Sequence, residues 1–357
     1  MHSLRIFRIT SRLTFYSLLS VLISIFLIQF LIIDSYGINN DTSAAKNIEV
    51  IDIITLDTSP QCIEYNPQNG NIYVPSNNGI YVINSSNHKI SDIISSNIST
   101  VDPFTNSKFD SCIEYNPQNY NMYMASHNGI YVINSSNNEI SDFLKNQSMR
   151  DIAFNEEEGN LYLITKGFNG PTVAYVINGS THETLGLLSS KHGYFLNGVE
   201  YNPGNGYIYL WDGKGPGIDF IKYSKNDTIK ENLIKNSQSW SFQRIDNIFY
   251  NEYNNTLYIS IYPNLNDGIF IANATDNNLI GLMPLNGTFI DMEFNPKNGI
   301  IYGVGLDGLY VINPFDNYKI VSKISQNEGF ENSIAFNPKN NYLYLINPIN
   351  NTISVIS

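Results

Sequence analysis

Short runs in which apolar and polar residues alternate recur along most of the chain, each closed by a cluster of Asn, Gly, Pro or Asp. GIYVIN occurs at Gly79 to Asn84 and again at Gly129 to Asn134, and VAYVIN, IDFIKY, GIFIAN, GLYVIN and NTISVI begin at Val173, Ile218, Gly268, Gly308 and Asn351. Period-two alternation sends successive side chains to opposite faces, so each run predicts a β-strand. Before several of them stand Asn78-Gly79, Asn128-Gly129, Asp267-Gly268 and Asp307-Gly308, dipeptides that accept the positive φ of a tight hairpin. A further strand follows, as in HKISDII from His88, NEISDFL from Asn138, NNLIGLMPL from Asn277 and YKIVSKI from Tyr318. One stretch breaks this rhythm. Phe15 to Ile33 is an apolar run of 19 residues interrupted by Ser17, Ser20, Ser24 and Gln29, and Arg5, Arg8 and Arg12 precede it.

The strands belong to a repeat. An aromatic followed by Asn recurs seven times, at Tyr65-Asn66, Tyr115-Asn116, Phe154-Asn155, Tyr201-Asn202, Tyr250-Asn251, Phe294-Asn295 and Phe336-Asn337. Eight residues after each first aromatic stands a second: Tyr73, Tyr123, Tyr162, Tyr209, Tyr258, Tyr302 and Tyr344. The spacing predicts an invariant hairpin whose turn, NPQNG or NPKNG in the clearest copies, holds the residues that turns require. Each unit then reads as a four-stranded meander of 39 to 50 residues, the size of a propeller blade. The seventh unit ends after its third strand, while Asn47 to Leu56 (NIEVIDIITL) ahead of the first unit has the pattern of a fourth. The expected fold is therefore all-β: a seven-bladed β-propeller of four-stranded antiparallel blades, the last closed by the N-terminal strand, after one hydrophobic helix. Closure of this kind leaves no blade short of a strand.

Units such as Phe336 to Ser357 (FNPKNNYLYLINPINNTISVIS) resemble the YVTN β-propeller repeat, with a LYVTN-like strand, a turn and a VSVID-like strand. The resemblance extends over residues 47–357 and is strongest in units one, two, six and seven. In units three to five the second turns lengthen, and units three and five have Glu156 and Glu252 where the first turn otherwise has Pro. The resemblance implies an extracytoplasmic or cell-surface protein and no shared catalytic residue.

The apolar run is long enough to span a bilayer as a helix, and the arginines before it hold the N-terminus in the cytoplasm. Residues 1–37 are read as a signal peptide or membrane anchor, 38–46 as a linker and 47–357 as the propeller. An uncleaved transmembrane anchor and a signal peptide cut near Ser35-Tyr36-Gly37 or Thr42-Ser43-Ala44 both remain open. Either one exports the propeller to an extracellular or cell-surface location. Eleven N-x-[ST] sequons, at Asn40, Asn84, Asn97, Asn134, Asn146, Asn178, Asn226, Asn254, Asn273, Asn286 and Asn350, then make a glycoprotein an expectation. A net charge of −12 with 20 Lys and Arg excludes a nucleic-acid partner, which needs a basic face.

Candidate chemistry follows from the repeat. In each first strand the positions two before and at the aromatic are apolar. The alternate positions include Glu64, Glu114, Asp151, Glu200, Asp291 and Glu293, expected to face a water-filled central channel. These six carboxylates are a candidate Ca²⁺ set, weighed against solvated acids with no ion. Cys62 and Cys112 occupy one position in adjacent units, which suits a disulfide outside the cytoplasm; the identical SCIEYNPQN around both also fits a recent blade duplication. The longer loops of units three to five carry Phe168, Tyr194, Trp211, Trp240, Phe242 and Tyr262, candidates to stack on sugars or anchor a protein partner. No nucleophile and base, metal motif or cofactor motif is visible. A binding or structural scaffold for protein or glycan partners is thus the leading expectation. The alternative is a channel-mouth enzyme, lyase or glycosidase-like, using Glu64, Glu114, Glu200 and Glu293 with His192.

Overall fold

The computed structural model describes residues 48–94, 113–126, 129–145, 149–165, 172–189, 196–212, 218–223, 228–232, 245–261, 268–285, 289–305, 307–325 and 333–357. The apolar run 15–33 and the linker 38–46 lie outside them, and among the described residues no helix is long and apolar enough to cross a membrane.

Among these residues 28 strands form seven four-stranded sheets. The first of them is β1 (Val50–Thr55); β2 (Glu64–Tyr65), β3 (Asn71–Ser76), β4 (Gly79–Asn84) and β5 (Lys89–Ile94) follow, and these last four form the first sheet in that order. The next five sheets repeat this meander. The last takes three strands from the C-terminus and its outermost from the N-terminus: β1 pairs antiparallel with Thr352–Ile356, placing Ile54 opposite Ile353 and Thr55 opposite Thr352. Each sheet's innermost strand contacts that of the next, and Ile334–Asn337 of the last contacts β2 of the first. The architecture is a β-propeller with four-stranded antiparallel blades.

The core lies between blades. β3 and β4 are buried on both faces because each is sandwiched by neighbours, whereas β5 is exposed at every position but Ile94. One cluster joins Ile54, Tyr344 and Ile353 of the last sheet to Ile63, Ile72 and Tyr81 of the first. Wedge-shaped blades have one way to bury both faces, which is against each other.

The eight-residue spacing has a physical cause. Asn66 Oδ1 caps its turn by accepting the Gln68 amide at 2.9 Å, as Asn116, Asn202, Asn295 and Asn337 do in theirs. The turn then needs a left-handed residue, provided by Gly70 (φ 77), Gly159, Gly206 and Gly299 and by Tyr120, Asn255 and Asn341 in the other copies. The Asn before it donates to the second aromatic: Asn69 to Tyr73 at 2.9 Å, Asn119 to Tyr123 at 2.8 Å and Asn340 to Tyr344 at 3.0 Å. That hydroxyl reaches into the next blade, where Tyr73 donates to Asn138 Oδ1 at 2.7 Å, Tyr123 to the Gly179 carbonyl at 2.7 Å and Tyr209 to Asn277 Oδ1 at 3.0 Å. Between the last sheet and the first, Tyr344 donates to the Ser85 carbonyl at 3.1 Å and Asn337 Nδ2 to Ser85 Oγ at 2.8 Å. One clasp thus serves ordinary junctions and the seam alike.

The outer strands carry a bulge against their neighbours in six sheets. Within three of them an Asp accepts the amide of the following residue, as Asp52 does from Ile53 at 2.8 Å. Bulges and capped amides blunt an edge that would otherwise pair with another chain.

Candidate functional site

The innermost strands enclose a central cavity of about 190 Å³ to which all seven sheets contribute. Glu64, Asp151, Glu200, Asp291 and Glu293 line it, with Cys62, Asn247, Ser333 and Trp211. The apolar row also reaches the wall, through Ile63, Ile113, Val199, Ile248, Met292 and Ile334. A strand at the narrow tip of a wedge turns both of its faces toward the axis, so alternation alone does not separate channel from interblade positions.

Burial governs the acid chemistry here. Glu64 is pushed well above the usual carboxylate range, first by burial and then by the charges of Glu114, Glu293 and Asp291. Glu114 is pushed up to about 8 by burial and by Asp151. Glu293 also reaches about 8, through burial and Asp291, although the Phe336 and Phe294 amides hold it down. Glu200 is raised well above its ordinary value by burial and by Glu114, with the Tyr250 amide opposing. Carboxyls crowded in a narrow cavity keep their protons, because separated like charges there would be poorly hydrated. At neutral pH the channel is accordingly less negative than its carboxylate count implies, and its titrations are linked.

Two of the six acids have a structural task. Asp151 Oδ2 accepts the Val199 amide of the next blade at 2.8 Å and Oδ1 accepts its neighbour Ile152 at 2.9 Å. Asp291 Oδ2 accepts Ile334 N and Ser333 Oγ of the last blade, each at 3.0 Å, and Oδ1 accepts Met292 N at 2.8 Å. Between these two junctions, Asn197 Nδ2 donates to the Ile245 carbonyl at 3.3 Å and Asn247 Nδ2 to the Ile290 carbonyl at 2.8 Å. Polar residues near the start of each inner strand therefore clamp four successive junctions. Asp151, Asn247 and Asp291 thus line the cavity and also meet the backbone of the next blade.

The Ca²⁺ set does not assemble. Among the described residues no three His, Cys, Asp or Glu side chains are grouped to hold a metal ion. Asp151 and Asp291 are also committed to amide donors.

Trp211 is corrected as well. It is 3% exposed and packs with Tyr209, Ile245, Ile259 and Phe270, so it offers no stacking surface to a sugar. Its indole lies across Gly198, its cross-strand partner, where a Cβ would overlap the ring; Nε1 is buried without a hydrogen-bond partner. Glycine opposite tryptophan in adjacent strands was the missed sequence sign. Cys62 is disulfide-bonded, and the chain has one other cysteine, Cys112, which lies outside the described residues. Phe168, Tyr194, Trp240, Phe242, Tyr262 and His192 also lie outside them.

No family model matches the chain, and no curated protein matches it. Among solved structures a chain of Kuenenia stuttgartiensis hydrazine synthase is similar, with a TM-score of 0.68 and 11% identity over 85% of this chain and 96% of that one. At such identity the likeness concerns fold alone, and it agrees with the β-propeller arrangement built from the strands above.

Proposed function

We propose that the chain is an exported, closed seven-bladed propeller of the YVTN type, working at the cell surface as a binding or structural scaffold for protein or glycan partners. The recurring junction clasp carries this reading. The residues that define the repeat, Asn69, Tyr73 and their equivalents, bind neighbouring blades to one another, which leaves the connecting segments free to vary without opening the ring. Recognition on such a frame belongs to its loops. The apolar run 15–33 supports export of the propeller, and contacts between the first and last sheets support closure at seven.

A glycan array probed with the full chain in detergent tests the partner class, with Trp240→Ala and Phe242→Ala as variants. Binding weakened at least tenfold by either change supports a glycan scaffold. No binding, or binding indifferent to both, removes the sugar reading and leaves protein partners.

A second reading, acid–base chemistry in the channel, draws on the four glutamates whose protons burial retains. A carboxyl still protonated at neutral pH is equipped to act as a general acid. Glycoside or polyuronate cleavage that vanishes in Glu293→Gln while the fold persists would establish it.

A further inference from the structure

The largest grouping of exposed aliphatic side chains on the described rim lies at the seam. Val50, Ile51 and Ile53 on β1 and Ile90 and Ile93 on β5 are 38 to 59% exposed. β1 is the outer strand of the last sheet and β5 that of the first, and His88 Nδ1 meets Asp52 Oδ2 across them at 3.1 Å. Ile90 and Ile93 pair with Ile83 and Tyr81, which belong to the seam cluster, while Val50 pairs with Ile356 in the cluster of the preceding junction. The five side chains therefore straddle β1 as an apolar ridge. On either side the described rim is different: Lys319–Ser325 and Glu139–Lys145, the outer strands of the flanking sheets, expose no large apolar side chain among their described positions. Leu185 with Leu187 and Ile280 with Leu282 form isolated pairs on sheets that are not adjacent.

The chain itself says what meets this ridge. Fourteen residues separate Ile33, the end of the apolar run, from Ile48, two residues before β1. Fourteen residues can reach at most about 50 Å. The described chain begins at Ile48, so the apolar run joins the rim at this ridge. A second copy adding a strand is disfavoured, since β1 is bulged between Val50 and Asp52 and the Ile53 and Ile93 amides are each capped by the preceding Asp at 2.8 Å. Exposed Glu49, Asp52 and Asp92 against Lys89 give the ridge a slight acidic excess, so its attraction to lipid is apolar and not electrostatic.

We propose that the seam ridge of Val50, Ile51, Ile53, Ile90 and Ile93 rests in the interface of the bilayer that residues 15–33 enter, so that the propeller lies edge-on to the membrane. The proposal rests on the tethered, exported reading above.

The test uses the full chain reconstituted into phosphatidylcholine vesicles, comparing Ile53→Trp with Leu187→Trp on the distant third sheet. Emission added by Ile53→Trp should fall at least twofold when the lipid is brominated, and emission added by Leu187→Trp should not. In the unsubstituted chain, amides of Val50–Thr55 should exchange more slowly in vesicles than in detergent. Equal quenching at both sites, or none at Ile53→Trp, overturns the proposal. A blue shift that grows with protein-to-lipid ratio without quenching assigns the ridge to a second copy and overturns it too. Retention through an alkaline carbonate wash reports on residues 15–33 separately: retention without quenching removes the ridge proposal alone, and quenching without retention removes the tether alone.

Discussion

Replacing Glu293 by Gln should stabilise the protein at pH 8 and do so far less at pH 5. Glutamine mimics the protonated acid in shape and charge, and Glu293 is pushed from about 4.5 to about 8 in the folded channel. Below the unfolded value both states hold the proton, so the group does not affect stability. Between the two values the folded state binds a proton that the unfolded chain has released, and stability falls as pH rises until the folded group ionises. The full interval corresponds to roughly 5 kcal/mol at 1.36 kcal/mol per decade. Water entering the channel and relaxation of Asp291 reduce this, so about 2–3 kcal/mol is expected at pH 8. For a domain of this size that is roughly 4–6 °C in melting temperature. Thermal unfolding of both proteins at pH 5, 6.5 and 8 isolates the effect as the difference between them, since every other group titrates in both. Parallel curves across that range, or a variant less stable at pH 8, would refute the burial of Glu293 as its acid form.

Asp291→Ala removes the acceptor of Ile334 N, Ser333 Oγ and Met292 N and should cost about 2–4 kcal/mol, with faster amide exchange confined to Ile334–Asn337 and its neighbours. Gly198→Val drives a side chain into Trp211 and should destabilise by about 2–4 kcal/mol; a near-neutral result by chemical denaturation would show that the indole can move. Tyr209→Phe deletes the hydroxyl shared by Asn202, Asn205 and Asn277, at an expected cost of about 1–3 kcal/mol. Deleting residues 48–55 strips the last blade of its outer strand and bares the Thr352–Ile356 edge, so light scattering should report aggregation that deletion of residues 38–46 does not cause.

Where the sequence was legible, the reason is that one residue type had one task. The Asn and Tyr of the first hairpin recur at fixed spacing because a turn cap and a hydroxyl clasp tolerate no insertion, and the fourth strand missing at the C-terminus matched Asn47 to Leu56 in pattern. The sequons at Asn84, Asn134, Asn178 and Asn273 show the opposite case. Each Oδ1 caps the turn between the third and fourth strands, accepting the amide two residues on at 2.8–2.9 Å. Turn chemistry by itself therefore places Asn and Ser or Thr together there. Asn254 likewise donates inward to Tyr258. Asp151 and Asp291 line the channel as expected but also accept a neighbour's amide, and that second task leaves no mark in one strand. Trp211 was misplaced because its burial depends on Gly198, thirteen positions away in sequence. The altered proton affinities of the glutamates could not be read at all, since they arise from crowding that exists only once the blades surround an axis.

The pairing of β1 with Thr352–Ile356 also sets an order of events in time. Every other blade can close as soon as its own meander leaves the synthesis machinery, because its contacts are local. The strand that emerges first must wait for the one that emerges last. Through that interval β1 is an unpaired aliphatic segment, and the slowest step of folding should be its capture, a loop closure across nearly the entire chain. A mutation in Thr352–Ile356 would then delay maturation of a ring whose other sheets had long been formed.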